Sequence, residues 1–261
     1  MPIVKESLFN IILNLEMKQS TKFKAAILII GNEILSGRTK DTNTSTIAQW
    51  LDSIGVKVNE VRVIPDIEDT IIETVNHLRK VNNYVFTTGG IGPTHDDITA
   101  QSISKAFNLK YEIHKEAFKI LEAYYKVGEF NEGRQKMVWM PLNANLILNP
   151  TSGAPGFSVE NVFCLPGVPS ILKSMLGGLK NKIVGGDPIL SHTISLKTVE
   201  SEIAKSLTNV QDDNKDVEIG SYPFFQAGKL GVSIVIRSEN QHKIDKCSSE
   251  ILEFVNQKKI E

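Results

Sequence analysis

The densest chemistry in the sequence lies in the run Thr87-Thr88-Gly89-Gly90-Ile91-Gly92-Pro93-Thr94-His95-Asp96-Asp97-Ile98-Thr99. Adjacent glycines directly after an apolar run let backbone N–H groups come close to an anion. A helix opening just after them adds the partial positive charge of its N-terminus. Such a loop suits phosphate. The two aspartates pull the other way, because a carboxylate repels a phosphate unless a cation stands between them. Mg²⁺ is commonly held by one or two carboxylates together with substrate phosphates. Asp96 and Asp97 therefore have two readings. They cap the following helix, or they anchor a divalent metal (Mg, Mn or Co) that bridges to a phosphate or pyrophosphate. The run is not a dinucleotide fingerprint: after Gly90-x-Gly92 the third glycine is replaced by His95.

Three more loops carry polar groups at comparable places. Gly31-Asn32-Glu33-Ile34-Leu35-Ser36-Gly37, followed by Asp41-Thr42-Asn43, offers an acid, Glu33, and neutral hydrogen-bonding groups. Its plain alternative is a turn plus a helix cap by Asn43 or Thr44. Leu165-Pro166-Gly167-Val168-Pro169 reads as a tight turn with Pro169 in the first helical turn. Pro65-Asp66 reads most simply as another helix cap. Two other patterns mislead. Gly228-Lys229-Leu230-Gly231 matches a GxxG RNA-binding loop, but between two expected strands it makes a hairpin turn. Ser36, His95 and Asp97 form a triad only on paper, with no nucleophile-elbow context.

The elements that must position these loops follow from periodicity. Residues 25–30 form a continuous apolar run, the mark of a strand buried on both faces. Ile47, Trp50, Leu51 and Ile54 make a helical stripe that Gly55 ends. A strand is expected at 56–64, and a helix carrying Ile71, Ile72, Val75 and Leu78. A strand at 84–88 then runs into Gly89-Gly90. Helices are expected at 97–107 and 117–125, strands at 145–148 and 159–165, and a closing helix through Leu172 and Leu179. Alternating strands and helices predict an α/β fold of three layers, α/β/α, with a mainly parallel sheet. Ligands of such sheets bind beyond the carboxyl ends of the strands, where all four loops lie. The pattern breaks at Gly185-Gly186-Asp187-Pro188. The expected division is an N-terminal tail (1–23), an α/β domain (24–184) and a small C-terminal α+β domain (187–261). In the last, Leu230, Val232, Ile234 and Ile236 alternate to one side of a strand. The apolar pattern of 1–16 is short and unsupported, so those residues are expected to be dispensable.

Composition narrows the classes. Of 261 residues, 29 are Lys or Arg and 30 are Asp or Glu, a formal net charge of -1. That balance argues against a dedicated nucleic-acid binder, which usually shows a basic excess. No apolar run reaches the roughly 20 residues that span a bilayer. Two cysteines, Cys164 and Cys247, in unlike contexts give no zinc spacing and fit a reducing, cytoplasmic location. The expected partner is a small molecule, neither nucleic acid nor membrane, and a homo-oligomer is expected.

Taken in order, these segments resemble the molybdopterin-binding domain family and, within it, the CinA (competence/damage-inducible) type. The matching pieces are 31–37, 41–43, Thr88 to Thr99, Asn149-Pro150 with Ala154-Pro155-Gly156-Phe157, and 165–169, over roughly 24–182. The resemblance implies an α/β/α domain that binds a phosphate-bearing pterin or nucleotide. For the CinA type it further implies a metal-dependent pyrophosphatase acting on ADP-ribose or FAD-like dinucleotides. The alternative is a molybdopterin-binding or transfer protein of molybdenum cofactor metabolism without hydrolase activity. Carried over by motif, Gly89 and Gly90 cradle phosphate, with Thr88, Gly92, Thr94, Asn43, Gly167 and Pro169 around the ligand. Asp97, Asp66 and Glu33 are the catalytic candidates, and Asp97 and Asp96 the metal ligands. Three departures matter. No deamidase domain, as in full-length CinA proteins, follows within this sequence, so that activity is not carried over. Thr151-Ser152-Gly153 differs from the commoner Val-Gly-Thr. Val168 replaces a serine of the molybdopterin-inserting relatives, which weakens the case for pterin chemistry.

Overall fold

The computed structural model describes residues 23–226 and 228–260, so most of the expected tail lies outside it. The chain divides into two compact units, one running to Gly186 and one from Asp187 onward.

The first unit is built on the strand β1 (Phe23–Ile30), buried without a break from Ala25 to Ile30. Successive side chains of a strand point to opposite faces. Ala25, Ile27 and Ile29 accordingly join one core with Ile47, Leu51, Leu172 and Met175. Ala26, Leu28 and Ile30 join another with Ile71, Val75, Ile103 and Leu121. Helices α2 (Asn43–Ser53) and α7 (Pro169–Leu176) thus cover one face, and α3 (Glu68–Val81), α4 (Thr99–Ala106) and α5 (Lys115–Tyr124) the other. These are the three layers expected of the α/β fold. A short helix, α1 (Asn32–Leu35), follows β1 directly.

The sheet contains six strands: β2 (Val56–Ile64), β1, β3 (Tyr84–Thr88), β8 (Val162–Leu165), β7 (Gly156–Val159) and β6 (Asn145–Ile147), in that order. The pairings from β2 to β8 are parallel, and those among β8, β7 and β6 are antiparallel. The chain crosses to opposite sides of β1 to form β2 and then β3. The crevice between the carboxyl ends of β1 and β3 is therefore a topological switch point.

Local expectations need three corrections. The single strand expected at 159–165 is a hairpin, because Glu160 takes a positive φ of 48° and folds β7 back onto β8. The helix expected from Asp97 begins at Thr99, behind a turn closed by a bond from the Asp97 N–H to the Thr94 carbonyl. A small two-stranded ladder of β4 (Tyr111–Ile113) and β5 (Trp139–Pro141), with the short helix α6 (Glu132–Lys136) before β5, fills a stretch where periodicity gives no signal.

The second unit is an antiparallel sheet in the order β10 (Glu218–Gln226), β11 (Lys229–Ser238), β9 (Leu190–Leu196), with α8 (Glu200–Asp213) and α9 (Gln241–Gln257). Val232, Ile234 and Ile236 alternate into its core with Ile203, Ile244 and Ile251. Leu230 keeps the alternation but lies beyond the core, 61% exposed. Of the GxxG segment, Gly228 (φ +77°) lies in the β10–β11 turn, while residues 229–231 already belong to β11. Among the described residues, no helix is long and apolar enough to cross a membrane.

Candidate functional site at the β1–β3 crevice

Three loops meet at the carboxyl ends of β1, β3 and β8 because glycine backbones let them. Gly89 has φ +102°, and a Cβ there would stand 2.1 Å from the Ile30 carbonyl oxygen. A Cβ on Gly90 (φ +67°) would stand 2.2 Å from Thr99 Oγ1. Only glycine gives both the left-handed backbone and the close approach. The Gly89 N–H donates to the Leu165 carbonyl at 3.1 Å, and its carbonyl accepts from Thr99 Oγ1 at 3.0 Å. Gly89 therefore shapes the loop with its own donor already engaged. The Gly90 carbonyl accepts from the Thr99 N–H at 2.9 Å, fastening the loop to the start of α4.

Asn43 ties the loops together. It is the first residue of α2, and its side chain turns inward, 6% exposed. Its Nδ2 donates to Thr88 Oγ1 at 2.9 Å and to the Gly167 carbonyl at 2.8 Å, while Thr88 Oγ1 donates to the Pro166 carbonyl. Asn43 Oδ1 is buried without a partner. A buried acceptor left unpaired costs about 1–3 kcal/mol, so a ligand hydroxyl, N–H or water there would relieve it. Asn43 does not cap its helix. That service comes from Asp41, which accepts from the Asn43 and Thr44 N–H groups.

The acids sit on the same edge. The Asp66 carboxylate accepts from the Asn32 N–H at 2.9 Å, linking the loops after β2 and β1, and does not cap α3. Burial raises the Asp66 pKa above the ordinary aspartate value. The Asn32 bond opposes that shift, while the charges of Glu33 and Asp96 add to it. Glu33, in α1, is exposed and folds back over Gly31, where a Cβ would meet its Oε1 at 2.6 Å. Glu33, Asp66 and Asp96, from three loops, thus share one electrostatic neighbourhood.

Asp96 and Asp97 lie in the turn ahead of α4, whose N-cap, Ile98, offers no side-chain bond. Asp97 Oδ2 accepts from the Thr94 N–H at 2.8 Å and stands 2.6 Å from Thr94 Oγ1. Asp96 Oδ1 stands 2.6 Å from the same hydroxyl. One hydroxyl carries one proton, so it can serve only one of the two carboxylates at a time. The Thr94 bond holds the exposed Asp96 carboxyl below its ordinary pKa, with His95 and Lys136 adding favourable charge. The Lys136 ammonium donates to the Thr94 carbonyl.

Gly92 packs against Asp97, where a Cβ would stand 2.7 Å from Oδ2. Gly167 lies against Gly89, where a Cβ would stand 3.5 Å from the Gly89 Cα, and Pro169 opens α7 as its first residue. The structure therefore gathers Glu33, Asn43, Asp66, Thr88, Gly89, Gly90 and Gly167 around the crevice. Gly92, Thr94, Asp96 and Asp97 stand on its β3 side. Periodicity missed the other wall. Tyr111, Lys136 and Trp139 join Gly92 and Asp97 around a small recess of about 10 Å³, room for about one water. Their elements are too short for a periodic pattern to mark.

Helices α3, α4 and α7 all open at this edge, and none has a side chain bonded at its N-cap. The first-turn N–H groups of a helix are unsatisfied within it, so this edge offers convergent donors. Among the described residues, no group of three or more His, Cys, Asp or Glu side chains could hold a metal ion. A cation bound here needs oxygen ligands from elsewhere. Asp97, with Asp96 beside it, fits an ion that substrate phosphates and waters complete.

Residues 26–186 match the family model described as "Probable molybdopterin binding domain". Residues 188–261 match that of the FAD synthase middle domain. A protein of Archaeoglobus fulgidus is 35% identical over 234 residues, covering 89% of this chain and 98% of the relative. One from Pyrobaculum calidifontis is 31% identical, covering 76% of this chain and 80% of the relative. Among solved structures, the protein CinA of unknown function from Thermoplasma acidophilum is 31% identical. It has a TM-score of 0.59 and covers 62% of this chain and 99% of its own. The chain belongs to the molybdopterin-binding domain family and, within it, to the CinA type.

Proposed function

We propose that the α/β unit binds a phosphate-bearing nucleotide at the β1–β3 crevice and hydrolyses its pyrophosphate bond, as in ADP-ribose or FAD, with a divalent cation. One observation carries this reading: helix N-termini without side-chain caps converge on an edge that also gathers Glu33, Asp66, Asp96 and Asp97. Uncapped N–H groups attract phosphate, the carboxylates repel it, and a cation reconciles the two. The match of residues 188–261 to a FAD synthase domain supports a dinucleotide ligand.

Asp97, with Asp96, would hold the cation, and Gly167, Thr88 and Asn43 would frame the ligand. Held there, a divalent ion would polarise a phosphate of the ligand and would lower the pKa of a nearby water. Water attacks one phosphorus, the bridging P–O bond breaks, and the displaced phosphate leaves with the bonding pair. The proton of the attacking water needs an acceptor near the crevice. Asp66, whose proton affinity burial raises, has the direction of shift that role requires, and Glu33 stands beside it.

The test is a panel of nucleotide pyrophosphates, with Mg²⁺, Mn²⁺ and Co²⁺ in turn, followed by product release. Metal-dependent release of nucleoside monophosphate from ADP-ribose or FAD is the expected result. Tight binding of a pterin or dinucleotide with no product under any metal would leave the binding and transfer role in its place.

A further inference from the structure

We propose that the outer edge of β2 is a self-complementary docking surface for a second copy of this chain, the two β2 strands pairing antiparallel about a two-fold axis through Val61. β2 stands at the end of the six-stranded sheet, and among the described residues β1 is its one neighbouring strand. An open edge invites pairing with another chain, and folds usually guard it with lysine, proline, a bulge or shortness. The opposite edge, β6, has only three residues. On β2 the guards stop halfway. Lys57 is exposed, and the register against β1 shifts between Ala25 and Ala26, leaving Asn59 as an extra residue. From Glu60 to Ile64 the strand pairs regularly with residues 26–30 and contains neither lysine nor proline.

The backbone and side chains of that regular half select one register. The Gly31 N–H donates to the Ile64 carbonyl at 3.1 Å, so Ile64 turns towards β1. Backbone groups alternate between the two edges of a strand. Arg62 and Glu60 therefore turn inward, and Val63 and Val61 outward. No described loop or helix bonds the backbone of either valine. Val61 pairs with Ile27 and Val63 with Ile29, which face the core under α2. The valines carry that apolar face to the rim, where they are 43% and 39% exposed. Glu60 and Arg62 lie on the other face, ion-paired at 2.8 Å. Residues opposed in an antiparallel ladder both turn inward or both outward, so the axis must pass through a residue. Through Glu60 or Arg62 it sets like charges opposite each other, which is unfavourable. Through Val63 it sets Val61 opposite Pro65, which has no N–H to donate. Through Val61 it pairs valine with valine and sets Glu60 of each copy opposite Arg62 of the other. Such an axis stands perpendicular to the sheet, so the apolar face continues across the seam and the contact closes as a dimer.

Sedimentation equilibrium of the full-length protein across a concentration series tests this, and the wild type should form a dimer. Glu60→Arg or Arg62→Glu turns two attractive cross-strand pairs into two repulsive ones. Either should weaken self-association about tenfold or more. Mixing the two variants should restore a heterodimer, because every arginine then faces a glutamate. The double variant Glu60→Arg with Arg62→Glu should dimerise like the wild type. Circular dichroism and thermal melts establish that each variant is folded. If a single reversal does not fold, Val61→Lys takes its place, setting two ammonium groups at the axis, and should likewise weaken the dimer. A wild type that stays monomeric at every concentration overturns the proposal. A dimer that these substitutions leave intact also overturns it, because the seam then lies elsewhere. Folded reversals that lose the dimer but do not recombine on mixing overturn the register.

Discussion

Replacing Asp97 by asparagine separates a structural role from a chemical one, because the two predict effects of different size. In the folded protein the carboxylate accepts from the Thr94 N–H at 2.8 Å and faces the Thr94 hydroxyl at 2.6 Å. Asparagine keeps an oxygen in that place and removes the charge. A hydrogen bond to a charged group contributes about 1.5–3 kcal/mol and a neutral one about 0.5–1.5 kcal/mol. The turn is partly open to solvent, which screens the difference, so the expected stability loss is about 1 kcal/mol. A domain of ordinary stability, about 5–15 kcal/mol, stays almost fully folded after such a loss. If Asp97 anchors the cation, turnover should fall a hundredfold or more, equivalent to about 2.7 kcal/mol in the barrier. Unfolding cannot produce that loss. The assay pairs denaturant melts of wild type and Asp97→Asn with ADP-ribose hydrolysis across a metal titration. Binding of ADP-ribose in chelator should hold or tighten in the variant, because a repelling charge has gone. Turnover equal to wild type at every metal concentration would refute the anchoring role. So would a loss of activity that only tracks the folded fraction.

Other substitutions probe the same edge. Gly89→Ala should destabilise by about 3 kcal/mol or more, combining left-handed strain with a Cβ 2.1 Å from the Ile30 carbonyl oxygen; a denaturant midpoint within about 1 kcal/mol of wild type would show that the loop does not approach β1 so closely. Burial raises Asp66 in the folded state, so its stabilising contribution is complete below the ordinary aspartate pKa and is lost as pH rises through the raised one. Asp66→Asn should therefore be more stable than wild type at neutral pH, with the advantage fading towards about pH 3; urea melts across pH that show no such fading would contradict the shift. Val168→Asp should supply the missing cap of α7 and add about 0.5–2 kcal/mol of stability, while weakening binding of ADP-ribose by setting an acid at the helix N-terminus proposed to receive phosphate. Calorimetry showing the stability gain with unchanged affinity would place the phosphate elsewhere.

The layers were legible because burial on both faces leaves a simple trace. The run at 25–30 and the stripe of Ile47, Trp50 and Leu51 have no competing explanation, and both became the elements expected of them. The hairpin of β7 and β8 was not legible. Its turn is Glu160-Asn161, with the left-handed position filled by glutamate rather than glycine and the asparagine one place later, so two short apolar strands read as one. The recess wall was also hidden. Trp139 and Tyr111 meet through a three-residue ladder whose register depends on tertiary pairing, and no local period marks it.

The acidic and amide side chains of the crevice show why capping signals misled at this edge. Asn43, Asp66, Asp96 and Asp97 each stand just before or at a helix start, where such residues usually accept from first-turn N–H groups. Here Asn43 bonds Thr88 and Gly167 and Asp66 bonds Asn32, all in other loops, while Asp96 and Asp97 face Thr94 within their own turn. Away from the crevice, capping proceeds as composition suggests. His114 caps α5, Asn131 caps α6 and Asn240 caps α9, each through its side chain. Asparagine thus caps helices elsewhere, and at the carboxyl edge Asp41 serves the first turn of α2, whereas Asn43, Asp66, Asp96 and Asp97 do not cap the helices they stand at, although one capping bond contributes about 1 kcal/mol. Local stability alone would have filled those positions. The diversion of Asp66, Asp96 and Asp97 leaves the N-termini of α3 and α4 without side-chain acceptors and sets the acids beside them, and Val168 offers none to α7. That arrangement costs stability in the free protein, and an anion bound together with a cation would recover it.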